Sequence, residues 1–230
     1  MLSMNLGITM TAILDSAPET LGSGRCYSLA HRFVCGIVVV AGCASIYGCR
    51  RGATGGNDMP SVQPGAAAIK AIELYDKDGN GALNESELAD CPGILAARNR
   101  YDTDGNREIS QREIESRLTA VYASGTPWVT VNCQILQNGR PLAGATVRFV
   151  PEPFLEDAVL PASGKTDNQG RSNPAVADER LPEDKQGLHI MQPGVYRVAI
   201  EHPSINELQK PLGCEIDYLA RGGTDAVFNL

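Results

Sequence analysis

The stretch Asp76-Lys77-Asp78-Gly79-Asn80-Gly81-Ala82-Leu83-Asn84-Glu85-Ser86-Glu87 sets oxygen-bearing side chains at positions 1, 3, 5, 9 and 12 of a twelve-residue loop. Asp76, Asp78, Asn80 and Asn84 each offer an oxygen, Glu87 can close the set with two, and Ala82 at position 7 offers its carbonyl. A hard cation such as Ca²⁺ takes roughly 6–8 oxygen ligands, and few continuous segments of this length supply them. Gly81 stands at position 6, where the loop turns sharply and calls for positive φ. Leu83 at position 8 is apolar, which suits pairing with a counterpart across a short two-stranded bridge.

A near copy begins at Asp102. Asp102, Asp104 and Asn106 repeat the first three ligands, followed by the carbonyl of Glu108, Ser110 and Glu113, and Ile109 matches Leu83. Both segments resemble EF-hand calcium loops. The second departs at Arg107, which takes the glycine position, brings a positive charge near the cation and must adopt positive φ at about 1 kcal/mol. The expectation is a weaker second site, the alternative being a loop that serves only as structural partner of the first. The first aspartates lie 26 positions apart (102 minus 76), so the pair should be compact. No methionine falls between Met59 and Met191, so the Met-rich groove of a target-binding switch is missing. A structural calcium role is preferred over a calcium sensor.

Outward from the loops, residues 66–123 read as the helices of this pair. Apolar positions from Ala67 to Tyr75 run straight into Asp76, a short exit helix starts at Ser86, and Ile114, Leu118 and Val121 share a face of the last helix. Residues 50–65 are rich in Gly, Pro, Ser and Thr and read as a solvated tether. Residues 1–49 read as an export segment, with Arg25, His31 and Arg32 preceding an apolar stretch from Phe33 to Tyr47 that is short for a membrane span. Val40-Ala41-Gly42-Cys43 resembles a bacterial lipobox with Cys43 as the lipidated residue. Cys49 is the second choice, because Tyr47 is bulky and Arg50-Arg51 would follow the new terminus; an uncleaved anchor is a further alternative. The long stretch before Arg25 leaves Met4 or Met10 as alternative starts.

Beyond Trp128 the pattern becomes strands, with Val129, Val131, Cys133 and Ile135 alternating against polar residues. Asn138-Gly139 is a strong hairpin signal, and further strands are expected at 145–150, 194–201, 212–218 and 226–230. The run Gly139-Arg140-Pro141-Leu142-Ala143-Gly144-Ala145-Thr146-Val147-Arg148-Phe149 resembles the opening hairpin of transthyretin-like, or carboxypeptidase regulatory-like, domains. Gly164 to Gly170 looks like that family's G-x-T-D-x-x-G turn, and Pro193 to Val198 like its P-G-x-Y-x-V strand. The resemblance covers most of residues 128–230. The expected fold class is therefore α+β and multidomain: an EF-hand pair at 66–123 followed by an antiparallel β-sandwich of transthyretin-like or Ig-like type at 128–230.

Relatives of this sandwich include enzymes. The hydroxyisourate hydrolases use histidines with an arginine, and intradiol dioxygenases hold iron with two tyrosines and two histidines. His189, His202, Tyr196 and Tyr218 follow neither pattern, and the histidines read as surface residues. Cys133 and Cys214 fall on apolar phases of strands and read as buried thiols, a disulfide being the alternative. A net charge of −7 without a basic stripe argues against a nucleic-acid partner. The preferred expectation is an exported, lipid-anchored calcium protein, not an enzyme, whose sandwich engages an exported protein or a polysaccharide or serves envelope assembly. A transthyretin-like hydrolase with accessory calcium is the competing one.

Overall fold

In a computed structural model the described residues are 59–230, without 156, 206–210 and 219–223. The tether up to residue 58 and the lipobox cysteine Cys43 lie outside them. Arg51–Leu230 forms one compact unit. Helices and sheets share a single hydrophobic cluster running from Ala67 to Phe228, although the composition shift near Trp128 suggests two separate bodies. Mixed α and β content is thus observed, with the two parts packed together.

Helix α1 spans Pro64–Tyr75 and starts on proline, whose missing N–H costs nothing in the first turn. Its buried face is the small-residue stripe Ala67, Ala68 and Ala71 ending in Tyr75, while Ile69 and Leu74 point outward. After the first acidic loop come strand β1 (Ala82–Leu83) and helix α2 (Glu85–Leu88). Pro92 begins α3 (Pro92–Ala96), and α4 (Arg98–Tyr101) leads into the second loop. Strand β2 (Ile109–Ser110) pairs antiparallel with β1, Leu83 opposite Ile109, and α5 (Gln111–Ala123) follows with Ile114, Leu118 and Val121 buried.

The remaining strands are β3 (Asn132–Gln137), β4 (Arg140–Pro141), β5 (Thr146–Pro151), β6 (Ala162–Lys165), β7 (Arg171–Ser172), β8 (Gly194–Glu201), β9 (Leu212–Ile216) and β10 (Asp225–Asn229). One sheet runs β10-β3-β4, with β7 also on β3; the other runs β6-β5-β8-β9. The Asn138-Gly139 hairpin joins β3 to β4 with φ of 52° and 75° at its two central residues. The sheets face each other through Phe149, whose ring lies 6.0 Å from Tyr196 in its own sheet and 6.3 Å from Phe228 in the other, both edge-on.

One pairing corrects the antiparallel expectation: β10 lies parallel to β3, Asp225 opposite Asn132 through Asn229 opposite Leu136. The side-chain period of two is the same in either direction, so alternation alone cannot distinguish them. The chain reaches β10 by crossing from β9 in the opposite sheet, a connection that leaves the direction open where a hairpin would not.

Strands β8 and β9 are covered on both faces where α3 packs on them, while Ala199 and Glu201 farther along β8 are exposed. Tyr196, Val198 and Ile216 point into the core between the sheets, whereas Val195, Arg197 and Glu215 point toward the helices. The fit there admits no side chain. A Cβ on Gly213 would sit 2.2 Å from the carbonyl carbon of Pro92, and one on Gly93 would sit 2.5 Å from Val195 Cγ1.

Candidate metal centre

Each acidic loop is organised by hydrogen bonds from its own backbone to its carboxylates. In the first loop Asp76 accepts from the N–H groups of Gly79 and Gly81 at 2.7 and 2.8 Å. The bond from Gly81, above all, holds the Asp76 carboxyl below its ordinary value. Asp78 accepts from the N–H of Asn80 at 3.1 Å, and Asn80 Oδ1 from that of Ala82 at 2.8 Å. Glu87 is buried at the loop's end, its oxygens accepting from Lys77 at 2.7 Å and Asn84 at 2.9 Å. Burial raises its carboxyl, but the N–H groups of Asn84, Lys77 and Asp78 outweigh that and leave it below 4.5. Asn84 reciprocates by capping α2, accepting from Ser86 and Glu87.

The second loop repeats the plan. Asp102 accepts from Gly105 and Arg107 at 2.7 and 3.1 Å, Asp104 from Asn106 at 3.0 Å, and Asn106 Oδ1 from Glu108 at 2.7 Å. Glu113 accepts from both the N–H and the hydroxyl of Thr103, and from both those of Ser110. Its carboxyl is likewise lowered: burial pushes it up, and the bonds from Ser110 and Thr103 more than offset this. Arg107 takes φ of 73° where Gly81 takes 84°, so a residue with a Cβ occupies the left-handed region at the tightest point of the turn.

The outcome is two sets of three carboxylates, Asp76, Asp78 and Glu87, and Asp102, Asp104 and Glu113, each with an oxygen from every member within 4.8 Å of the others. That span suits oxygens on opposite sides of a Ca²⁺ with bonds of about 2.3–2.6 Å. The hard, charged donor set fits that cation and not a soft metal. The remaining expected ligands share the same turns: Asn84 Nδ2 lies 3.4 Å from Asp78 Oδ2, Ala82 is in β1 and Ser110 in β2, and Glu108 is exposed just before β2.

Sequence reasoning did not single out the ionic groups that join these loops to the sheets. Glu152 is fully buried, accepting from Tyr75 at 3.1 Å, Gly93 at 2.9 Å and Arg197 Nε at 2.7 Å. Arg197 also donates to Tyr75 Oη at 2.9 Å and to the carbonyl of Asp90 at 2.6 Å. Arg117 of α5 grips both oxygens of Glu215 and reaches Asp217, and Arg100 of α4 lies 3.0 Å from Glu215. Glu215 in β9 and Asp217 just beyond its end alternate with Cys214 and Ile216, a period-two signal that two acids turn to the face opposite the apolar core. Glu152, between Pro151 and Pro153, carries no such signal.

The residues of the competing catalytic expectation have separate partners. His189 Nδ1 lies 3.2 Å from the carbonyl of Asn173, while His202 Nδ1 lies 2.7 Å from Ser204 Oγ and also accepts from the Ser204 N–H. Tyr196 donates to the carbonyl of Gln192 at 2.7 Å from full burial, and Tyr218 is exposed. Cys91, Cys133 and Cys214 carry free thiols; Cys133 and Cys214 lie in strands of opposite sheets. Among the described residues no helix is long and apolar enough to cross a membrane.

No protein-family model and no curated protein matches the chain. Among solved structures, catechol 1,2-dioxygenase from Pseudomonas arvilla C-1 is similar at 20% identity and a TM-score of 0.23, over 44% of this chain and 42% of that one.

Proposed function

We propose that this is a calcium-binding exported protein in which an EF-hand pair is built against a non-catalytic, transthyretin-like β-sandwich. The observation that carries the reading is the paired acidic loops, each with three converging carboxylates, bridged by Leu83 opposite Ile109. Asp76, Asp78, Asn80, Ala82, Asn84 and Glu87 would hold one Ca²⁺, and Asp102, Asp104, Asn106, Glu108, Ser110 and Glu113 a second. The ion would neutralise clustered carboxylates that otherwise repel, and extracellular calcium is high enough for weak sites to fill. A sensor must swing its helices apart, and the bonds from Tyr75, Arg100 and Arg117 to the sheets oppose that.

The sandwich would engage an exported protein or polysaccharide or take part in envelope assembly, with Cys43 carrying the lipid anchor. The separate surroundings of His189 and His202 favour this over the hydrolase alternative. Titration calorimetry with Ca²⁺ against Mg²⁺ tests the metal. Binding of Ca²⁺ that Glu87→Gln weakens strongly is expected, and an absence of binding heat at millimolar calcium would end the reading. Mass analysis of the membrane-extracted protein, with a diacylglyceryl adduct on Cys43 expected, tests the anchor.

A further inference from the structure

The two loops approach the sheets in the same way. Each is entered from a helix that ends in a buried tyrosine, Tyr75 immediately before Asp76 and Tyr101 immediately before Asp102. The helical turn that carries each tyrosine is tied to a fully buried glutamate of the sheet half: Tyr75 to Glu152 at 3.1 Å, and Arg100, beside Tyr101, to Glu215 at 3.0 Å. The leaving sides are tied to the same two glutamates. Beyond the first loop, Asp90 gives its carbonyl to Arg197, which binds Glu152, and Gly93 donates to Glu152 directly. Beyond the second, Arg117 in α5, the helix whose first turn holds Glu113, binds Glu215 and Asp217. A buried carboxylate that loses its partners is strongly unfavourable, so the helices cannot leave the sheet one bond at a time. Gly213 packs against the backbone of Pro92 and Gly93, and Gly93 against the side chains of Val195 and Glu152, leaving no room for a Cβ at either glycine.

We propose that the loops and the β6-β5-β8-β9 sheet open as one thermodynamic unit, so that a cation held by the loops protects strands β8 and β9, with Glu152 and Glu215 as the links. This rests on the reading of the loops as calcium sites. A ligand that binds only the closed form lowers the opening constant by the factor 1 + [L]/Kd. At calcium about 100 times Kd, amides of β8 and β9 should therefore exchange about 100-fold more slowly than in chelator.

Hydrogen exchange on the full chain, with calorimetry on the same sample, tests this. Binding heat together with slowed exchange at Val195–Val198 and Gly213–Ile216 is the expected result. Binding heat with slowed exchange confined to residues 76–123 overturns the coupling and leaves the calcium reading standing. No binding heat removes both. A second arm uses Glu152→Gln alone, with terbium luminescence sensitised by Tyr75 and Tyr101, each beside its own loop, reporting whether the loops still bind. The gain at β8 is expected to shrink at least tenfold while the loops still take terbium; an undiminished gain would overturn the role given to Glu152.

Discussion

Replacing Arg117 with methionine tests how the two halves are joined. Arg117 holds Glu215 through Nε at 3.1 Å and Nη2 at 2.5 Å, and the same Nη2 reaches Asp217 Oδ2 at 2.5 Å. The Glu215 side chain is 0% exposed and that of Asp217 4%, against 16% for Arg117, so solvent does little to screen the group. Breaking a buried pair from one side costs about 3–5 kcal/mol because the surviving charge stays behind. Arg100 remains near Glu215 and is one-third exposed, which places the expected loss at the lower end, about 3 kcal/mol. For a chain of this size each kcal/mol moves Tm by roughly 2–4 °C, so Arg117→Met should melt about 6–12 °C lower. Thermal and urea unfolding at fixed calcium measure it. Adding Glu215→Gln should recover part of the loss, with a coupling of at least about 1 kcal/mol in the double-mutant cycle. A loss below about 1 kcal/mol, the range of exposed ion pairs, would refute the claim that this cluster is a buried joint.

Gly213→Ala should destabilise by about 1–3 kcal/mol in denaturant titration, since its Cβ meets backbone that cannot rotate away. Arg107→Gly should tighten calcium at the second loop and leave the first unchanged in site-resolved calorimetry, because it removes both a strained φ of 73° and a positive charge. Asp167 accepts from Gln169 and Arg171 at 2.7 and 2.9 Å. The Arg171 N–H first, then that of Gln169, hold its carboxyl below 3.8. A lowered folded value stabilises above the unfolded value and fades as pH falls through the folded one. The Tm gap between wild type and Asp167→Asn should therefore be open at neutral pH and close in a melting series carried below 3.8.

The loops are legible in sequence because all their oxygens come from one continuous segment, so spacing alone sets the geometry from Asp76 to Glu87 and from Asp102 to Glu113. The β3–β4 hairpin is legible for the same local reason. The joint between the halves is not. Arg197 lies 45 positions from Glu152 and 122 from Tyr75, and only the folded chain brings them together. The division of the segment between the loops into the short helices α3 and α4 is not legible either, since Pro92 can open a helix as readily as close one. Ile69 and Leu74 read as core by hydrophobicity yet stay exposed, because alanines form the buried stripe of α1.

The parallel pairing of β10 with β3 has a kinetic consequence. Asn132 and Asp225, hydrogen-bonded across that pair, are 93 positions apart, whereas each acidic loop closes within its own segment. Contacts of long sequence separation form late, after their loop-closure entropy has been met. During folding, β3 would therefore present an open hydrogen-bonding edge after the helices had already closed around their loops. That edge is the point at which a newly synthesised chain is most exposed to strand exchange with another copy.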